Sequence, residues 1–242
     1  MKTKHLLLTA ICMMFAFSGQ AQIMKKVVGN NKYETEVFKV SEFTRVNMLA
    51  DFNVVYQVNP DSAGYVSVYA EENILDLIEF ETKKGKLDVK FKTLRTPEFG
   101  VVLVRMYSKS LTEVENLGAG IFEIRSNIDA PELIFTQTGS GQIKALDTKS
   151  GVINVSVGGS GDVIIGGKAG MGVYSINGSG EIDAKSVKAD EVNASITGGG
   201  EISCYADKNI KTFITGSGII KYDGDAEIKS RTVGSGRVIP FK

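Results

Sequence analysis

The sequence has no tryptophan, one histidine, two cysteines and four prolines in 242 residues. His5 and Cys12 both fall in the first few residues, which leaves the rest of the chain with Cys204 as its one thiol. Without histidine there is no Ser-His or Cys-His activation of a nucleophile and no imidazole metal ligand. A single cysteine excludes an intramolecular disulfide, so the fold must hold by burial and backbone hydrogen bonding. Charge of one sign is not in excess either, with 28 basic and 28 acidic residues. Such a balance gives no electrostatic case for nucleic acid, which calls for a basic face or groove.

Long apolar runs are equally scarce. The one such run, "HLLLTAICMMFAF", follows Lys2 and Lys4 and precedes "SGQAQ". A charged start, an apolar stretch too short to span a bilayer and small residues at Gly19 and Ala21 predict a secretory signal peptide over residues 1–21. Removing it deletes two lysines and no acid, so 26 basic against 28 acidic residues give a net charge of −2. Ile11 stands before Cys12, where lipidation requires a small residue, so a lipoprotein is not expected. The chain is predicted to be exported to the periplasm, the outer-membrane surface or the extracellular space. No transmembrane segment is expected after residue 21.

What the chain has in abundance is glycine, 27 residues of it, and its placement is regular. Seven triplets recur: Gly118-Ala119-Gly120, Gly139-Ser140-Gly141, Gly159-Ser160-Gly161, Gly178-Ser179-Gly180, Gly198-Gly199-Gly200, Gly216-Ser217-Gly218 and Gly234-Ser235-Gly236. Their spacings are 21, 20, 19, 20, 18 and 18 residues. A single Gly-Ser-Gly could be a phosphate loop, but such a loop needs a helix after it and usually a lysine. Seven in register are instead the corner of a chain wound into stacked coils. Glycine suits such a corner either through positive φ or through close approach of the next coil's backbone.

The residues around each triplet alternate. Phe122, Ile143, Val163, Ile182, Ile202, Ile220 and Val238 follow the triplets at one position, and Ile124, Ala145, Ile165, Ala184, Cys204, Tyr222 and Pro240 stand two residues on. Before the triplets run Leu133 and Phe135, then Ile153, Val155 and Val157, then Tyr174 and Ile176, then Val192 and Ile196. The pattern blurs near Phe213 and Thr232. A period of two is that of strands with one buried face. The fold class predicted is all-β: a right-handed parallel β-solenoid of about 20 residues per coil over residues 111–242, preceded by a β-rich region over residues 22–110.

That earlier region lacks the triplet. "TRVNMLADFNVVYQV", "GYVSVYA", "KLDVKFK" and "VVLVRMY" alternate as strands, "KKGK" reads as a hairpin turn and "TLRTPEFG" as a loop. "ENILDLIEFET" has partial helical spacing through Ile74, Leu77 and Ile78. Laying "FTRVNMLADFNVVY" over "LTEVENLGAGIFEI" sets Phe43 on Leu111, Val46 on Val114, Leu49 on Leu117, Val54 on Phe122 and Tyr56 on Ile124. Residues 43–56 are therefore a candidate degenerate coil, and the region either begins the solenoid or caps it. At the other end "RVIPFK", with Pro240 and Lys242, reads as a blunted strand edge.

These segments, with the run of "GSG" coils and the closing "GSGRVIPFK", resemble the head GIN domain family, secreted bacterial domains of unknown function described as auto-transporter adhesins. The resemblance spans roughly residues 38–240. It implies a β-helix-like fold and an adhesive or cell-envelope role, and it carries over no catalytic residue. No barrel-type run of strands follows the repeat within the sequence, so no translocator is expected in it.

One column of side chains is a candidate ligand contact. The residue after each triplet is Ile121, Gln142, Asp162, Glu181, Glu201, Ile219 and Arg237. Coils in register would stack Asp162, Glu181 and Glu201 at steps of about 4.8 Å. Their repulsion would be relieved by a bound Ca²⁺, by raised pKa values, or by splaying into water beside Lys144 or Arg237. Splaying is the simplest outcome for exposed charge. A polysaccharide-acting enzyme using these carboxylates is the alternative reading. A catalytic site breaks a repeat by adding a loop, however, and the coil lengths differ by only three residues. Ser140, Ser160, Ser179, Ser217 and Ser235 read as structural, satisfying local backbone groups. Cys204 reads as a small buried residue, and the eight tyrosines look scattered. No catalytic residue, metal site or cofactor is assigned. The function predicted is non-enzymatic: a rigid face that binds glycan, matrix or a cell-surface protein, with a purely structural scaffold as a third possibility.

Overall fold

The computed structural model describes residues 26–92 and 96–241. The signal-peptide expectation, Cys12 and Lys242 lie outside the described residues. The fold is all-β, 70% strand and 2% helix, a β-solenoid of about six turns with roughly 20 residues per turn.

The coils after residue 111 follow from alternation and corners. Strands β8 (Glu113–Asn116) and β9 (Ile121–Ile124) make one rung, and β10 (Ile128–Gly139) leads into the next. Then β11 (Gln142–Gly159), β12 (Asp162–Gly178), β13 (Glu181–Gly198) and β14 (Glu201–Gly216) each run almost from one triplet to the next. β15 (Ile219–Asp223), β16 (Glu227–Gly234) and β17 (Arg237–Pro240) complete the last turn. Every neighbour in this series pairs in parallel. The post-triplet residues Phe122, Ile143, Val163, Ile182, Ile202 and Ile220 are fully buried, as are Ala145, Ala184 and Cys204. Each large aliphatic side chain so buried contributes about 1.5–3 kcal/mol. Phe213 explains why the pattern blurs: Ile210, Thr212 and Ile214 point inward, and Phe213 between them is 42% exposed.

The corner uses both properties of glycine, at different places in the triplet. Gly159, the first of its triplet, has φ of 108°, a region closed to most L residues. Gly161, the third, is not in that region; a Cβ there would stand 2.5 Å from the Gly141 carbonyl oxygen of the coil below. The amides of Ser160, Ser179, Ser217 and Ser235 donate to the first glycine of the preceding triplet at 2.8–3.1 Å. Serine thus holds the corner through its amide, while the side chain stays exposed.

The N-terminal region both supplies rungs and closes the end. β2 (Arg45–Met48) and β3 (Asn53–Val58) lie in parallel against β8 and β9, with Val46 on Val114, Val54 on Phe122 and Tyr56 on Ile124. The chain then leaves the stack through β4 (Tyr65–Glu71), the four-residue α1 (Glu72–Leu75) and β5 (Ile78–Lys83). It returns as β6 (Lys86–Phe91) and β7 (Leu103–Ser108), which pair in parallel on the far sides of β2 and β3. The pairings β4–β7, β1 (Tyr33–Lys39) with β4, and β5–β6 are antiparallel and cover that end. Helix stops at Leu75 because Ile78 already starts a strand whose hairpin turns at Lys84 and Gly85, both at positive φ. At the opposite end Ser230 and Thr232 take the inward register of Thr212 and Ile214. That last rung is largely exposed and ends on Pro240.

Candidate functional site

The corners bring the carboxylates together as their spacing required. Asp162 pairs with Glu181 and Glu181 with Glu201, and Gln142 and Ile219 extend the row on either side. A second outward row runs beside it through Glu123, Lys144, Ile164, Asp183, Ser203 and Lys221. Cations from that row neutralise much of the charge. Lys221 Nζ lies 2.5 Å from Glu201 Oε1, and Lys144 reaches Glu123 at 3.8 Å. Lys185 meets Asp183 at 2.9 Å. Lys144 and Arg237 are therefore not the partners of the column; Lys221 is.

Among the described residues Glu181 has no such partner, and its carboxyl is pushed above the usual carboxylate range. Partial burial is the main cause, followed by the charges of Glu201, Asp162 and Asp183, with Lys221 opposing. Among the described residues no group of three or more His, Cys, Asp or Glu is arranged to hold a metal ion. The row can accept hydrogen bonds along an open, flat surface.

Cys204 is fully buried between Ala184 and Tyr222 on the adjacent rungs. Burial pushes its thiol up to about 12, so it stays protonated and unreactive. Asn116 and Gln137, also buried, were not singled out from sequence. Asn116 Nδ2 donates to Gln137 Oε1 at 2.8 Å and to the Gly120 carbonyl at 2.9 Å, and Gln137 Nε2 donates to the Gly118 carbonyl at 3.3 Å. They hold the first two corners at the register that Val157, Ile176, Ile196 and Ile214 fill higher up.

Two features of the cap were also hidden. A cleft of about 420 Å³ opens between the end of β1 and β5, with Phe38, Val40, Ile78 and Phe80 among its lining residues and Lys39 and Lys92 beside them. Phe38 and Phe80 pack with centroids 5.0 Å apart. The tyrosines, moreover, are not scattered: Tyr33, Tyr65, Tyr69 and Tyr107 lie on one sheet face, that of β1, β4 and β7. Only their pairing partners could have revealed this, because up to 74 residues separate them along the chain.

Among the described residues no helix is long and apolar enough to cross a membrane. A search of curated proteins finds no match. Solved structures do match. A "putative adhesin" from Bacteroides fragilis shares 26% identity over 89% of this chain and all of its own, with a TM-score of 0.83. A "putative lipid binding protein" from Parabacteroides distasonis shares 27% over 90% of this chain and all of its own, at 0.76. A "putative adhesin" from Parabacteroides merdae shares 25% over 90% of this chain and 99% of its own, at 0.65. The profile of the family described as "Putative auto-transporter adhesin, head GIN domain" covers residues 42–226, and this chain belongs to that family.

Proposed function

We propose that the protein is an exported, non-enzymatic adhesion module that presents its flat solenoid face to a surface glycan, matrix component or protein. The observation that carries this reading is the outer row running from Thr35 through Tyr69, Leu103 and Asn53, whose Oδ1 accepts the Ile121 amide, and on through Gln142, Asp162, Glu181, Glu201 and Ile219 to Arg237. A stiff, shallow, ordered face suits a polymer or another surface better than a small molecule, which is normally enclosed by a concave pocket. Family membership supports the adhesive role. The test is a binding panel of glycans and matrix proteins probed with the full chain, run beside an assay for released reducing ends. Saturable binding without product is expected. Calcium-dependent cleavage abolished by Glu181→Gln would overturn it in favour of an enzyme.

A second reading, capture of an amphiphile, is favoured by the cap cleft. Its Phe38–Phe80 pair would meet an acyl chain and Lys92 an anionic head. The Parabacteroides distasonis relative described as lipid binding supports it.

A further inference from the structure

We infer that the outer face of the cap, on β1, β4 and β7, is a binding site for an acidic glycan, one whose sugars carry carboxylates. The inference rests on the adhesive reading and names its ligand class and place. Strand register assembles the site. Lys39 lies beside Tyr65, and Thr35 beside Tyr69, across β1 and β4. Ser67 lies beside Arg105 across β4 and β7, and the same antiparallel register sets Tyr65 against Tyr107. Tyr33 stacks on Tyr69 with centroids 5.3 Å apart and 19° between planes. All these side chains project from the face opposite the buried Val66, Val68, Val104 and Met106.

Each element of the patch has a use. Tyr33, Tyr65 and Tyr69 are 36%, 43% and 38% exposed, more than a core or a packed interior sheet allows. A tyrosine ring offers a negative π face to the positive C–H edge of a sugar ring and a hydroxyl to its oxygens. Tyr65 and Tyr69 stand four residues apart on β4, roughly 13 Å at about 3.3 Å per residue. That separation places two stacking platforms under one extended oligosaccharide. Between them Arg105 presents a planar fork of donors that matches a carboxylate.

Charge decides the class of sugar. Among the described residues neither Arg105 nor Lys39 is in an ion pair. The next carboxylate in the Arg105 row is Glu123, two strands on, which Arg125 occupies at 2.6 Å. Asp162 begins the acidic column four strand steps away. At about 4.8 Å per step that is roughly 19 Å, beyond the Debye length of about 8 Å at physiological salt. With Glu71 buried and accepting two amides beside Tyr33, the exposed charges of the cap face are Lys39 and Arg105, and the acidic column begins only farther along. A polyanionic sugar chain is drawn to these two cations, and the acidic column lies too far along the face to oppose it.

The Tyr33 end of the patch is also held rigid by Glu71, which the register sets beside Tyr33 on the same face. Glu71, 3% exposed, accepts the amides of Asn31 and Gly100 at 3.0 Å each, which ties the start of β1 and the segment before β7 to β4. Tyr33 is therefore in place before any ligand arrives, which lowers the cost of binding.

Polygalacturonate is the probe, immobilised and titrated with the full chain at physiological salt, with dextran as neutral sugar and polyglutamate as acid without sugar. Binding to polygalacturonate alone is expected. Tyr65→Ala and Arg105→Gln should each weaken it about tenfold, a 1.4 kcal/mol change. Lys208→Gln, a cation on another face, should leave it unchanged. Both site residues point outward, and circular dichroism with melting checks that the variants fold. Equal affinity for polyglutamate, or wild-type affinity in both folded variants, would overturn the inference. So would binding of the wild type only to neutral glycans or proteins, and in that case the adhesive reading would survive. If no surface ligand binds at all, both readings fall.

Discussion

Tyr174 and Gly172 together test whether the coils pack as ladders. Tyr174 points into the tube, and its hydroxyl is buried with no hydrogen-bond partner among the described residues. Room for the ring comes from Gly172, where a Cβ would collide with the Tyr174 hydroxyl and stand 2.5 Å from Cζ. On the adjacent rungs Gly172 faces Ile153 and Val192, and Tyr174 faces Val155 and Ala194. This rung has therefore exchanged volume between two neighbouring inward positions. Gly172→Val alone overpacks the site and should cost about 1–3 kcal/mol or more. Tyr174→Val alone removes most of a ring, a loss of about 3–5 kcal/mol, offset by about 1–3 kcal/mol because an unsatisfied hydroxyl goes with it. In the double variant the two defects cancel. Two valines carry two side-chain heavy atoms fewer than the single tyrosine, but methyl groups are bulkier than ring carbons, so the summed volume is nearly conserved and the net cost should stay under about 1.5 kcal/mol. Guanidinium denaturation of the four proteins gives the cycle directly. A favourable coupling of about 2 kcal/mol or more is expected. Additive effects would refute the ladder packing, since they would mean that the two sites do not share space.

Two other predictions follow from the corner and the column. Gly159→Ala, at φ of 108° with the Gly139 carbonyl 2.9 Å from the new Cβ, should lose about 1–3 kcal/mol; Ser160→Ala beside it should stay within about 0.5 kcal/mol in the same denaturation assay. Glu181→Gln should raise the unfolding midpoint at neutral pH. The folded-state pKa of Glu181 lies above its ordinary value, so the protonated form is favoured by folding. Its stabilisation is complete below the unfolded pKa and lost as pH rises through the folded one. The gain should vanish in titrations toward pH 4 and, at so exposed a site, remain under about 1 kcal/mol.

The linear repeat already determined much of this protein. Triplet spacing stacks Asp162, Glu181 and Glu201, and laying residues 43–56 over residues 111–124 sets Val46 on Val114 and Tyr56 on Ile124. A parallel coil translates sequence period directly into spatial neighbourhood, so register is legible wherever the period holds. Tertiary structure alone decided the rest. Alternation is identical for parallel and antiparallel strands, so nothing in "GYVSVYA" or "KLDVKFK" says that β4 turns back on β7 while β6 runs with β2. That reversal gathers Tyr33, Tyr65, Tyr69 and Tyr107 from distant segments beside Arg105. Glycine's two roles likewise separate only in space, because positive φ at Gly159 and close approach at Gly161 depend on the coil beneath them.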